Sequence, residues 1–326
     1  VTNTTSNYEN SRNIVAFTDL GEGKEEWIYN DNEIYPTTGF GNQYPDNYSN
    51  TMLNDMDYNS IRSLNSVTSY LTSQGYTSGK DFEKLQKARK LSPSEYVLNS
   101  KLGFITLNIS LNANQTLAVA YQYTVIGQDK VYQVGEFSDQ SIADPNVLVT
   151  KLLKSTTINT KMPMWDLMMK NVYNMRAYQV GSNDFVMNIL YLGNENGVAT
   201  GYFADAEGDL KGRSLINLMN VDNLNSQQNP VEGGDGMFDF INGATTNGGT
   251  INAATGRIYF PVLEPFGSHI RKIFADDPAL AEKYAFDSLY TLTKTSAEQY
   301  TEKNKFRLEG HYSSSSGSEI NLNALN

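Results

Sequence analysis

The sequence predicts an α+β protein, mainly antiparallel β-sheets with several packed helices, in two subdomains. Stretches of strict two-residue alternation stand beside stretches with apolar residues at three- and four-residue steps, so strands and helices are both specified. Tyr (21 residues) outnumbers Phe (14), and Asn recurs throughout, a bias toward strands and turns. The chain has 326 residues, more than the roughly 250–300 that one core usually serves. Residues 1–150 are therefore read as a β-rich subdomain with a turn-rich start, and 151–326 as a mixed α+β subdomain.

Residues 13–20 read as a strand ended by Gly21 and Gly23, and 31–57 as a long Asn-, Asp-, Gly- and Pro-rich loop. Ile61, Leu64, Val67 and Leu71 predict a helix over 59–72. Phe82, Leu85 and Ala88 predict another over 81–89. Runs at 96–99, 104–107, 116–125 and 131–137 predict an antiparallel meander, with Leu117, Val119, Tyr121, Tyr123 and Val125 on one face of the third. A strand is expected at 147–153, after the break at Asp144-Pro145-Asn146. Trp165, Met168, Met169, Val172 and Tyr173 share one face of a predicted helix over 165–175. Strands follow at 185–192 and 258–263, with a short helix after Gly212 between them. The longest helix is predicted over 278–300, with proline in its first turn and Leu280, Tyr284, Leu289 and Leu292 inward. Residues 305–312 alternate strictly, and after the serine-rich turn at 313–316 so do 320–325.

Leu98-Asn99 is followed by Gly103, Ile105 and Leu107, and Ile251-Asn252 by Gly256, Ile258 and Phe260. This parallel predicts two equivalent β-hairpins with Gly103 and Gly256 at positive φ.

Composition excludes several classes of chemistry. The absence of cysteine removes disulfides, Cys-type zinc sites and thiol nucleophiles. A net charge of −11 disfavours non-specific nucleic-acid binding. No apolar run is long enough for a membrane-spanning helix. The start Val1-Thr2-Asn3 is read as internal to a larger protein. His269 and His311, the two histidines, have no zinc-site spacing and are expected as surface residues. Gly39, Gly41 and the Gly233–Gly236 stretch fit no phosphate-binding motif.

The best metal candidate is a structural calcium site at Asp222, Asp235 and Asp239, with Asn220 and Asn225 nearby, because hard oxygen ligands suit Ca²⁺. Solvated turns are the plainer reading, as for the acidic group Asp205, Glu207 and Asp209. The Trp165–Tyr173 face, with Met162, Met164 and Met175 near it, is either an adaptable partner surface or a packed core helix.

Several strings resemble one family. They are Leu91-Ser-Pro-Ser-Glu-Tyr-Val-Leu-Asn-Ser-Lys-Leu-Gly103, Leu117-Ala-Val-Ala-Tyr-Gln-Tyr-Thr124 and Tyr132-Gln-Val-Gly-Glu-Phe137. Further on come Trp165-Asp-Leu-Met-Met-Lys-Asn-Val-Tyr173 and Gly256-Arg-Ile-Tyr-Phe-Pro-Val-Leu-Glu-Pro-Phe-Gly267. Glu302-Lys-Asn-Lys-Phe-Arg-Leu308 and Gly317-Ser-Glu-Ile-Asn-Leu-Asn-Ala324 complete them. The chain resembles the SprA (Sov) family, the outer-membrane translocons of type IX protein secretion and gliding motility in Bacteroidetes, over most of residues 80–326.

The resemblance implies an internal segment from the N-terminal part of a much longer chain. It implies protein transport without catalysis or cofactor. The implied partners are the rest of the barrel, outer-membrane or lipoprotein secretion components and secreted cargo. The implied place is a soluble extracellular or periplasmic portion at the cell outer membrane. The alternative is a surface-exposed carbohydrate-binding or adhesin-like β-domain, using Trp27, Tyr29, Tyr35, Phe40, Tyr44, Tyr48 and Tyr58 to stack on sugars.

Overall fold

A computed structural model of the chain describes residues 11–20, 45–47, 55–100, 103–139, 142–162, 164–182, 184–227, 229–241, 249–313 and 319–324, the last strand by its backbone alone. The content is mixed, with several small, mainly antiparallel sheets and eight α-helices among the described residues. The chain divides into two compact units, Val1–Met168 and Met169–Asn326.

The first unit is built on a four-stranded sheet. Its central strand β1 (Arg12–Phe17) carries Ile14, Val15, Ala16 and Phe17, all buried. A run buried on both faces reads as continuously apolar rather than alternating. Helices α1 (Tyr58–Arg62) and α2 (Val67–Ser73) follow, then β2 (Phe82–Ala88), antiparallel to β1. The helix predicted over 59–72 is thus interrupted at 63–66. There the Ser66 hydroxyl donates to the Ser60 carbonyl, a side-chain bond that competes with helix continuation.

The helix predicted over 81–89 is instead β2. Phe82 and Leu85 lie on opposite faces of the sheet, each in its own apolar cluster. Between the pairs Ile14–Leu85 and Arg12–Ala88 the register slips by one residue. Lys87 takes φ +48 in this bulge, and its N–H donates to Asn13 Oδ1 at 3.1 Å. The slip returns Ala88 to the side of Leu85. A doubly covered strand with a bulge therefore imitates the three-residue step of a helix.

Strands β3 (Tyr96–Asn99) and β4 (Phe104–Leu107) form a two-stranded hairpin. The single strand predicted over 116–125 is split at Ala120. Its first part, β5 (Leu117–Val119), joins the four-stranded sheet, and β6 (Tyr121–Thr124) pairs with β7 (Val131–Val134) in a separate hairpin. The expected meander is therefore two hairpins and one sheet strand. Strand β8 (Leu148–Lys154) runs parallel to β1 and completes the order β2-β1-β8-β5, so residue 150 lies inside this sheet. Arg62 fastens α1 to β8. Its guanidinium reaches both carboxylate oxygens of Glu136 at 2.5 Å and donates to the Val147 carbonyl at 2.8 Å, while Glu136 accepts the Val149 N–H at 2.7 Å. One turn of helix, α3 (Met164–Leu167), closes the unit.

The helix predicted over 165–175 ends there. Residues Val172–Asn174 are strand β9 of the second unit. Next come β10 (Val186–Tyr191), α4 (Leu215–Leu218), and the hairpin of β11 (Ile251–Asn252) with β12 (Arg257–Tyr259), whose outer edge β9 joins. Helices α5 (Ser268–Ile273), α6 (Pro278–Tyr284), α7 (Ser288–Thr291) and α8 (Lys294–Gln299) precede β13 (Phe306–Ser313) and β14 (Glu319–Ala324). The sheet order is β10-β13-β14, antiparallel throughout. Gly310 is required in β13, because a Cβ there would lie 1.9 Å from the Val186 carbonyl oxygen.

The long helix predicted over 278–300 is therefore three short ones. Asp277 caps the first by accepting the Ala279 and Leu280 N–H groups, and Thr293 caps the last by accepting the Ser296 N–H. Tyr284, Ala285 and Phe286 are buried in succession, which one face of a helix cannot achieve. Phe286 leaves the helical path and donates its N–H to the Phe266 carbonyl at 2.7 Å. The core of this unit is aromatic: Tyr191, Phe203, Phe274, Tyr284 and Phe306 make ring contacts at centroid separations of 4.5 to 6.5 Å.

Candidate functional site

The calcium candidates fall in one loop of the second unit, between α4 and β11. Asp222 is fully buried and Asp239 nearly so, whereas Asp235 is exposed. Backbone amides meet both buried carboxylates. Asp222 accepts the N–H groups of Asp235 at 2.9 Å and Gly236 at 3.0 Å. Asp239 accepts those of Asn223 at 2.7 Å and Leu224 at 3.2 Å. Asp235 accepts the Met237 N–H at 3.1 Å, and Asn225 accepts the Gln227 and Asn229 N–H groups at 3.0 Å.

The carboxylates thus brace the loop. Gly234, at φ +67, lies so close over Asp222 that a Cβ would overlap its carboxylate. Burial pushes the Asp222 carboxyl up. It pushes that of Asp239 to about 6, with the charges of Asp222 and Asp235 adding to the effect. Among the described residues no group of three or more His, Cys, Asp or Glu side chains is placed to hold a metal ion.

The second acidic group does not converge on one point either. Asp205 accepts from Lys283 Nζ at 2.5 Å and from the Tyr284 hydroxyl at 2.7 Å, while Glu207 and Asp209 are exposed. The Lys283 ammonium holds the Asp205 carboxyl below its usual range. Burial, followed by the Asp205 contact, pushes the Tyr284 hydroxyl well above its ordinary value. Sequence spacing carried no sign of this Asp–Lys–Tyr contact, because its members are 78 and 79 residues apart.

His269 is half-buried, and its Nε2 meets the Leu218 carbonyl at 2.8 Å; His311 is half-buried on β13. A cleft of about 200 Å³ opens beside α6 and α7, between Phe286, Tyr300 and Lys303. Its charged groups are paired: Glu282 with Lys303 across the cleft and with Arg271 outside it, and Asp287 with Arg271.

The methionine-rich stretch divides between core and surface. Met162, Met164 and Met175 are buried, while Leu167 and Met168 are exposed. Of the sugar-stacking candidates only Tyr58 is among the described residues. It is exposed, with the Arg62 guanidinium 5.1 Å above its ring. Trp27, Tyr29, Tyr35, Phe40, Tyr44 and Tyr48 lie outside the described residues. Val97, Leu98 and Ile105 on the β3–β4 hairpin, and Ile126 in the loop after β6, also face solvent. No protein-family model matches the chain, and no curated protein matches it.

Proposed function

We propose that this chain is a non-catalytic structural and gating segment of a protein-conducting outer-membrane translocon, of the kind that serves type IX secretion and gliding motility. The carrying observation is the series of long strings, in one order, that resemble the SprA (Sov) family. They fall in both units: residues 91–103 lead into and through β3, 117–124 make β5 and β6, 165–173 run from α3 into β9, and 302–308 open β13.

The segment is read as a folded domain attached to the barrel. The longest strand among the described residues has eight residues, fewer than the ~9–11 of a barrel-wall strand. Among those residues no helix is long and apolar enough to cross a membrane. The implied partners are the remaining barrel, outer-membrane or lipoprotein components and secreted cargo.

Crosslinking in intact cells tests this reading. Photoreactive residues at Met168 and Leu263, both exposed, are expected to capture barrel, lipoprotein or cargo chains. Crosslinks confined to the chain itself at both positions would overturn the translocon reading.

A further inference from the structure

The hairpins β3–β4 and β11–β12 are one design used twice. Leu98 faces Ile105 and Asn99 faces Phe104; Ile251 faces Ile258 and Asn252 faces Arg257. Both glycines that end the loops have positive φ, +69 at Gly103 and +60 at Gly256. The ladders also agree in phase. The Asn108 N–H donates to Glu95 O at 2.8 Å in one, and the Tyr259 N–H to Thr250 O at 2.7 Å in the other. By strand alternation, the backbone N–H and C=O of Leu98 and of Ile251 therefore point away from the hairpin partner.

The surroundings of the two copies differ. Ile251 and Ile258 are both 0% exposed, and Thr250 is 2% exposed. The equivalent Leu98, Ile105 and Val97 are 57%, 36% and 56% exposed. In the second unit the outward groups of Ile251 are occupied by an extended segment running in parallel. The Ile251 N–H donates to Asp239 O at 2.9 Å, and the Ile241 N–H donates to Ile251 O at 2.8 Å, with Phe240 buried alongside. Strand β3 is Tyr-Val-Leu-Asn. It carries no charged residue and no proline, two residue types that blunt exposed edges. A two-stranded hairpin by itself is marginal in water.

We propose that β3 is a docking edge for an extended apolar segment of another polypeptide. That segment adds in parallel at Leu98 and covers the Leu98–Ile105 pair as the 239–241 segment covers Ile251 and Ile258. Main-chain hydrogen bonds hold it, and an apolar side chain in the position of Phe240 selects it. The inference stands on the comparison of the two hairpins and not on the translocon reading.

The test uses the whole 326-residue chain and a capped synthetic peptide with the sequence of residues 236–241. Amide solvent exchange is followed residue by residue by NMR. The peptide is expected to slow exchange at Leu98 saturably, at least tenfold, and Leu98→Lys is expected to abolish the effect. The Val149 amide, which is buried in the first unit and donates to Glu136, is slow in every sample and reports that the unit carrying the variant is folded. Three results would overturn the proposal: no saturable slowing at Leu98, equal slowing by a scrambled peptide, or protection of Leu98 that grows with protein concentration alone. The last would assign the edge to a second copy of this chain.

Discussion

Single residues here act through the space and solvent they are denied. Asp239 is buried, and its carboxyl titrates near 6, whereas in an unfolded chain it titrates near ~4. The native form therefore binds the proton more tightly. Stability from this group is greatest below pH ~4, falls as pH rises toward ~6, and is level above that. The loss amounts to about 2 kcal/mol between pH 4 and pH 7.5. Asp239→Asn is expected to flatten this part of the pH profile, read as the difference from the parent in denaturant unfolding at the two pH values. Parallel profiles would count against it.

The two turn glycines make a second comparison at this scale. Gly103 at φ +69 faces open space, so Gly103→Ala meets only the left-handed backbone penalty, about 1–2 kcal/mol. A Cβ on Gly256 would also lie 1.9 Å from the Ala177 carbonyl oxygen. Gly256→Ala is expected to lower the melting temperature more than Gly103→Ala; equal shifts would refute the packing argument.

Elements are positioned by a few polar contacts and by what covers each face. The Arg62–Glu136 pair joins α1 to β8, and both side chains are largely buried. Glu136→Ala leaves a guanidinium without its carboxylate and the Val149 N–H without its acceptor. The expected loss is about 3 kcal/mol. The double variant Arg62→Met with Glu136→Leu is expected to recover part of it, because two matched apolar groups leave no buried charge unpaired. Chemical denaturation of both variants checks this, and a double variant weaker than Glu136→Ala would contradict it.

Which elements were legible in sequence follows from the same coverage. Phe306, Leu308 and Tyr312 alternate inward on β13 as their spacing predicts, because that strand buries one face of its sheet. Strand β2 misleads because both of its faces are covered and a bulge resets its phase. The 278–300 stretch misleads because Phe286 leaves the helical path and Thr293 is a cap, both inside an apolar period that looks continuous. The Asp222–Asp239 loop was legible as a group of acidic residues. Its inward turn was not, since that depends on amides 13 to 16 residues away.

For the whole molecule, each unit has its own apolar interior. Val15, Phe17, Leu71 and Phe82 serve the first, while Ile189, Phe203, Ile258 and Tyr284 serve the second. Calorimetry of the intact chain is expected to resolve two transitions. Leu71→Ala and Ile189→Ala, each worth about 2–5 kcal/mol of local stability, should each lower a different one. A common shift of both transitions by either variant would show that the units unfold as one.

The amino-acid sequence alone determined the mixed class, the strands with a single buried face, and the two Asn-to-Gly hairpins. Each of these depends on neighbours within about ten residues and on which backbone angles a residue allows. Tertiary structure decided where long apolar periods break, whether β5 and β6 continue as one strand, and that β8 lies parallel to β1. It also decided that one hairpin is enclosed and its twin left open. Those outcomes depend on what packs against each face and edge, and the covering groups come from distant parts of the chain: β8 lies about 134 residues after its parallel partner β1, and the β9 strand about 85 residues before its partner β12.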